Sequence, residues 1–312
     1  MAATEMTLTL PSFAKINWTL EILGKRPDGY HELRTLLQTV DLADTLHFRR
    51  SEAGTVLTCN HPGVPLGEEN LVSRAVSLFR EVAGVQEGVE IEIEKRIPMA
   101  GGLGGGSSNA AVTLLALQSL WRVSLPPRDL FRLASRLGAD VPFFLLGGTA
   151  LGVGRGDEVY PMPELSAPLL LLVNVGLPVP TREVYGALPP ELTRPGPISM
   201  MPLSFEVAYV SQANLNDESQ GTGRSIAHWL YNDLERAVYP QYPLLREVKE
   251  SLLACGASGA LLSGSGSSLV AIFDNNPARE EAIRFSQQSG WWHTPVSTLS
   301  RDQYRRLLPL AT

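Results

Sequence analysis

Cysteine is scarce in this chain: two in 312 residues, and Cys59 and Cys255 stand far apart in no metal or redox spacing. That excludes a disulfide framework, and both are expected to be small buried residues in a reducing compartment. The five histidines, His31, His47, His61, His228 and His293, include no i,i+4 pair, so no structural zinc is expected. Long apolar runs are missing as well. The longest begins with Leu169 to Val173, far short of the roughly 20 residues that a spanning helix needs. Met1 to Leu10 has neither the basic start nor the long apolar stretch of a signal peptide. Basic residues are outnumbered, 26 Lys+Arg against 32 Asp+Glu, for a net charge of −6. Nonspecific nucleic-acid binding, which needs clustered Lys and Arg to displace counterions, is therefore excluded. A cytoplasmic protein without nucleic-acid or membrane partners is expected, and any anionic ligand must be gripped locally.

What is present is an ordinary globular composition, 44% hydrophobic and 19% charged. The length suits about two domains of roughly 100–200 residues. The most informative stretch is Ile97-Pro98-Met99-Ala100-Gly101-Gly102-Leu103-Gly104-Gly105-Gly106-Ser107-Ser108-Asn109. It follows an alternating run in which Val89, Ile91 and Ile93 interleave with Glu90, Glu92 and Glu94, and it precedes the apolar Ala110, Ala111, Leu114, Leu115 and Leu117. Strand, glycine loop and helix in that order make a phosphate cradle, because glycine admits close backbone approach and a helix start offers free N–H groups. A nucleotide triphosphate is the natural guest; a flexible linker is the plain alternative. The P-loop is excluded because no Gly-Lys-Ser/Thr ends the run. The dinucleotide fingerprint fails because Trp121 and Arg122 stand where an acidic ribose ligand belongs. Protein-kinase His-Arg-Asp and Asp-Phe-Gly motifs are absent.

Along the chain, Leu8 to Leu23, Asp44 to Phe48 and Thr55 to Thr58 read as strands, with a turn at Arg26-Pro27-Asp28-Gly29. Asn70 is the expected N-cap of a helix that Gly84 stops, and Pro127 to Leu137 forms another before Gly138. Gly147 to Tyr160 suggests a glycine-rich hairpin. A second unit opens with the strand Leu169 to Val175, continues with a helix at Thr181, and returns through Ala257 to Phe273 as strand, glycine turn and strand. Mixing hairpins with helices predicts an α+β fold. Residues 189–223, rich in Pro, Gly, Ser, Asn and Gln, read as a long surface insertion. No internal repeat or coiled-coil heptad is present.

Four segments together resemble the GHMP kinases: Pro11-Ser12-Phe13-Ala14-Lys15-Ile16-Asn17 with Gly24 to His31, the glycine cradle, Leu137-Gly138-Ala139-Asp140-Val141-Pro142-Phe143, and Leu262-Ser263-Gly264-Ser265-Gly266-Ser267-Ser268. The resemblance runs from near residue 11 to near residue 268. Phe13 stands where proline is common, Ser267-Ser268 replaces a smaller pair, and the 189–223 insertion has no obvious counterpart. The resemblance implies a two-domain fold. Residues 1–165 would form an ATP-binding half like the second domain of ribosomal protein S5, and residues 166–312 a ferredoxin-like substrate half. It further implies an ATP- and Mg²⁺-dependent alcohol kinase of isoprenoid precursor biosynthesis by the non-mevalonate route. The acceptor would be a small alcohol carrying cytidine diphosphate, and the enzyme a monomer or weak homodimer.

Site roles follow by the same resemblance. Pro98 to Ser108 would hold the ATP phosphates, with Ser107 and Ser108 adding hydroxyl contacts or reaching Mg²⁺. Lys15 and Asp140 are the expected catalytic pair, the carboxylate taking the acceptor's proton and the ammonium lowering that hydroxyl's pKa. On residues alone, Asp140 also reads as a turn or cap and Lys15 as a solvated strand charge. Phe13, Ala14, Ile16 and Trp18 around Lys15 argue that it must be paired. Tyr30, His31 and Tyr185 would hold the cytosine, with the base between two rings, and Asn17 would hydrogen-bond the substrate. Gly264, Ser265, Gly266 and Ser267 would close over the phosphates, the serines as donors; a plain tight hairpin is the other reading. Two rivals remain: a GHMP kinase for mevalonate, homoserine or a sugar, which has no use for the aromatic set, and a non-catalytic S5-like binding protein, which has no use for Lys15 and Asp140.

Overall fold

The structure is a computed structural model that describes residues 7–52, 54–167, 169–193 and 226–308. Most of the 189–223 insertion lies outside those residues; of its start, Pro190–Thr193 is a short helix. Two sheets carry the fold. The first has seven strands in the order β3(Thr55–Cys59), β4(Gly88–Glu94), β2(His31–Ser51), β1(Thr7–Lys25), β8(Tyr231–Asn232), with β5(Thr149–Gly154) on β2 and β6(Glu158–Pro161) on β5. The second is an antiparallel sheet in the order β11(Trp292–Val296), β7(Leu170–Asn174), β10(Ser268–Ile272), β9(Gly259–Leu262).

Local signals place many of these elements. Helix α1(Leu71–Ala83) starts where Asn70 accepts from the Val72 N–H and stops at Gly84 in the left-handed region. Helix α3 is Pro127–Leu137. Strand β2 is far longer than the expected Asp44 to Phe48. Its first half carries Glu32, Arg34, Gln38 and Asp41, so period and propensity hide it. It is a strand because β1 pairs with it along its length while β5 takes Leu33 to Gln38 and β4 takes Thr45 to Ser51 on the other side. Helix α2(Gly105–Trp121) also departs from the expected one-sided pattern: Ser108 to Leu114 are all buried, since α2 runs between β1 and the other helices of its half. The cysteines are free and only half-buried, not buried as expected.

Three cores result. One lies between the first sheet and its helices, one between the second sheet and the helices Glu235–Gln241 and Pro243–Ala254. The third is where the halves meet: Ala14, Ile16 and Trp18 of β1 pack with Leu170 and Leu172 of β7, Val270 and Ile272 of β10, and Ile97 and Leu103. Alternate residues of β7 thus serve two cores, Leu171 and Val173 facing the second. The last described helix, Arg301–Leu307, returns to the first core through Leu299, Tyr304 and Leu308, so the packing does not divide cleanly at residue 165.

Candidate active site

Strand alternation turns Ala14, Ile16 and Trp18 into the core between the halves and leaves Lys15 and Asn17 on the other face of β1. Lys15 is 3% exposed. Its Nζ donates to Asn17 Oδ1 at 2.8 Å and stands 3.8 Å from Asp140 Oδ2, whose side chain is 40% exposed. Burial lowers the Lys15 pKa, and the Asp140 carboxylate opposes that shift without cancelling it. Asp140 occupies the N-cap position of α4(Val141–Leu146) yet makes no capping hydrogen bond. Its carboxylate is therefore left for Lys15 and solvent, which removes the cap reading. The burial of Lys15 likewise removes the solvated-charge reading.

The cradle wraps the same lysine. Gly104 sits in the left-handed region with no side-chain cap on α2, and a Cβ there would come within 3.0 Å of Lys15 Cγ. The Lys15 N–H also donates to Leu103 O at 3.0 Å. The Ser108 N–H donates to Gly104 O, leaving the N–H groups of Gly105, Gly106 and Ser107 at the helix start without intrahelical acceptors. A Cβ on Gly106 would meet nothing within 4 Å, so this is the open side of the cradle. Met99, Ala100 and Gly106 are exposed, and Pro98, Gly102, Gly104, Gly105 and Ser107 are half-buried. Gly101 is buried, and Leu103 points into the core between the halves.

Ser108 departs from its expected place: it is fully buried, and its hydroxyl accepts from Ser12 at 2.8 Å. Its hydroxyl pins α2 to β1, and Ser107 is the half-buried hydroxyl of the pair. The cradle's own sequence has no lysine, but the fold supplies one beneath it. Lys95 Nζ donates to Asp44 Oδ2 and to Ile97 O, and a Cβ on Gly105 would lie 2.9 Å from it. Its position just upstream of Ile97 was the only signal, and nothing in the sequence tied it to Asp44.

The second glycine turn interlocks with the first. Ser263 Oγ donates to Gly102 O, the Ser268 N–H donates to Gly101 O, and a Cβ on Gly102 would collide with Ser263 O at 1.9 Å. Ser267 is 1% exposed and accepts from Asn174 Nδ2, so its hydroxyl lies inside the turn; Asn174 also donates to Ser268 Oγ at 2.8 Å. Ser265 shares a hydrogen bond with Thr181 at 2.9 Å. Gly264 and Gly266 both have positive φ, as the tight turn requires. Asn174 was missed in the sequence because a lone asparagine ending an apolar strand carries no local signal.

On the base side, the rings that meet are His31 and Tyr185, with centroids 5.3 Å apart and planes at 35°. Tyr30 is 58% exposed with the Arg155 guanidinium 5.1 Å from its ring centroid. Tyr185 thus packs against His31, the residue next to Tyr30 in the chain. Asn17 is corrected too. At 2% exposed, with its oxygen toward Lys15 and its amide donating to Thr35 Oγ1 at 2.7 Å, it orients the lysine. Burial, helped by Lys25, lowers the His31 pKa, and its Nε2 is buried without a partner. The Tyr185 phenol is pushed up by burial and then by the Asp140 charge.

Among the described residues no helix is long and apolar enough to cross a membrane, and no group of three or more His, Cys, Asp or Glu is set to hold a metal.

A glycine cradle with an open helix start, a buried lysine and a solvent-facing carboxylate define a phosphotransferase class. Residues 70–148 match the model of the GHMP kinases N terminal domain and 213–290 that of the GHMP kinases C terminal region. Solved structures share the fold. A crystal structure of 4-(cytidine 5'-diphospho)-2C-methyl-D-erythritol kinase aligns with a TM-score of 0.73 at 36% identity, covering 93% of this chain and 99% of that one. Homoserine kinase from Cytophaga hutchinsonii aligns at 0.67 with 20% identity, a likeness of fold alone, over 96% of both chains. In sequence, 4-diphosphocytidyl-2-C-methyl-D-erythritol kinase of Geobacter sp. (strain M21) is 40% identical over 94% of this chain and 99% of its own length. That of Gloeobacter violaceus is 44% identical over 83% of each. The chain belongs to the GHMP kinases, in the family of the 4-diphosphocytidyl-2-C-methyl-D-erythritol kinases.

Proposed function

We infer that the protein transfers the γ-phosphoryl group of ATP to the 2-hydroxyl of 4-diphosphocytidyl-2-C-methyl-D-erythritol, in the cytoplasm and as a monomer or weak homodimer. The observation that carries the reading is the buried Lys15 ammonium, set between Asn17 and the Asp140 carboxylate, with the phosphate cradle packed on its stem. The amides at the start of α2 hold the phosphates, and the helix dipole favours their charge. Asp140 takes the proton of the acceptor hydroxyl as its oxygen bonds to the γ-phosphorus. The bond from that phosphorus to the bridging oxygen breaks, and ADP leaves with the electron pair. Lys15 stabilises the negative charge that gathers on the acceptor and transferring oxygens; a desolvated cation is worth more there than in water.

Ser107, the part-exposed hydroxyl at the helix start, would be the chain's ligand to a Mg²⁺ that enters with ATP. That ion would supply charge neutralisation of the polyphosphate. Cytosine recognition falls to His31, whose lowered pKa keeps it neutral and whose Nε2 is unused, together with the Tyr30 and Tyr185 rings. An ADP-release assay tests the reading. Turnover is expected with the cytidylyl alcohol and not with mevalonate or homoserine, and CMP should compete for the acceptor site. Equal turnover of mevalonate, or no effect of CMP, would assign the acceptor site to another alcohol.

A further inference from the structure

Asn232 lies on the short strand β8, which runs parallel to β1 with Leu20 opposite it. It is 4% exposed, and its side-chain amide donates to two carbonyls of one turn, Leu262 O at 2.9 Å and Gly264 O at 2.8 Å. Its own oxygen accepts from the Leu234 N–H at 2.9 Å. Both amide hydrogens are thus committed to the turn that begins the second glycine loop. The strand bearing Asn232 is itself fixed to β1: the Asp233 N–H donates to Leu20 O, and Asp233 Oδ2 accepts from the Ile22 N–H.

The turn covers the lysine. A Cβ on Gly264 would lie 3.3 Å from Lys15 Nζ and 3.4 Å from Gly102 O. A closed path therefore runs from β1 through Asp233 and Asn232 to Gly264, and from Gly264 back onto the ammonium of Lys15, which β1 also carries. We propose that Asn232 is a positioning residue for phosphoryl transfer: it seats the Gly264 turn on Lys15 and so fixes the ammonium between Asn17, Asp140 and the mouth of the phosphate cradle. The inference rests on Lys15 and Asp140 being the phosphoryl-transfer pair. Its physical basis is that an ammonium on a flexible four-carbon stem has no rigid geometry of its own. Its aim is set by what encloses it, and displacements of about 1 Å at a reacting centre cost up to roughly 10²-fold in rate.

The test uses the full chain with two substitutions, Asn232→Ala, which removes both donors, and Gly264→Ala, which leaves Asn232 intact but strains the turn and crowds the Lys15 ammonium. Melting temperature, kcat and KM for ATP and for the cytidylyl acceptor are measured, with amide exchange of residues 262–266 read in the absence of substrate. For Asn232→Ala the expected result is faster exchange in that turn and a kcat lowered about 10- to 100-fold, with acceptor KM within about twofold. Gly264→Ala should repeat the kcat loss. Either variant folding with kcat within about twofold of the parent overturns the proposal. So does a loss of activity that only follows the loss of folded protein, or the failure of both variants to fold, since each assigns the turn to the fold alone. If the parent enzyme does not turn over the cytidylyl alcohol, the functional reading fails. Unchanged exchange in Asn232→Ala would separately refute the seating of the turn.

Discussion

The centre proposed for phosphoryl transfer and the residues proposed to hold the base are built by opposite means. Lys15 is 3% exposed and enclosed by Asn17, Gly104 and Gly264, each held in turn by hydrogen bonds or by packing. Tyr30, by contrast, is 58% exposed on a turn between β1 and β2, steadied by Arg155 over its ring and by its N–H bonded to Asp28 Oδ1. The contrast follows from what each must do. Charge stabilisation works when dipoles and charges are fixed before the reaction, in a dry site. Base recognition needs an accessible ring face and one unused edge, here His31 Nε2.

Breaking the enclosed half should hurt rate most. Asp140→Asn is expected to lower kcat at least ~10²-fold with little change in either KM, because it deletes the base and keeps the shape; steady-state kinetics decide it. Lys15→Met should also remove most of the turnover and yet leave the protein at least as stable. The reason is that burying the ammonium is unfavourable, and its partner Asp140 remains open to water. The sign with pH is fixed. The folded pKa of Lys15 lies below its ordinary 10.5, so the cost of the buried charge is fully present at pH values below that lowered pKa. It fades as pH rises through that lowered pKa towards 10.5. The melting-temperature advantage of Lys15→Met should accordingly shrink at alkaline pH, and a variant far less stable than the parent would contradict the account.

Breaking the open half should act on binding. Tyr185→Ala is expected to raise the acceptor KM about 5- to 150-fold, as loss of one base stack of roughly 1–3 kcal/mol implies, with the ATP KM unaffected. The pH dependence sharpens the same point. His31 is neutral down to its lowered pKa, so CMP binding should hold through pH 6.5 and weaken only below it. The smallest effect is expected at a buried hydroxyl that belongs to neither. In Tyr304→Phe the hydroxyl that donates to Phe144 O at 2.5 Å is lost from the helix that Asp140 begins. A stability loss of about 1–3 kcal/mol, for the carbonyl left unpaired, is expected in denaturant unfolding, with kcat reduced less than in Asp140→Asn.

The two halves differed equally in how far the sequence disclosed them. Asn70 and Gly84 at the ends of α1, Pro127–Leu137 as a helix, and the strand-loop-helix around Gly101 to Gly106 were legible, because caps, proline and glycine act within a few residues. The pairing of Lys15 with Asp140 was expected from the family resemblance, and the fold brings the two to 3.8 Å. The first half of β2 was not legible, since its strand state depends on β1 and β5 flanking it. Nor were Lys95 under Gly105, Asn174 or Asn232, all of which act through partners distant in the chain.

The sequence by itself determined the kinds of element, the glycine loops and the chemistry available: a lysine, a carboxylate, free amides and three rings. Only the tertiary structure decided which polar side chains are buried. Ser107 is half-buried, while Ser108 is buried against Ser12 and Ser267 against Asn174. The physical reason is that a hydroxyl's direction at these places is set by how α2 sits on β1 and how the two glycine loops interlock. Those are long-range contacts, and no local propensity encodes them.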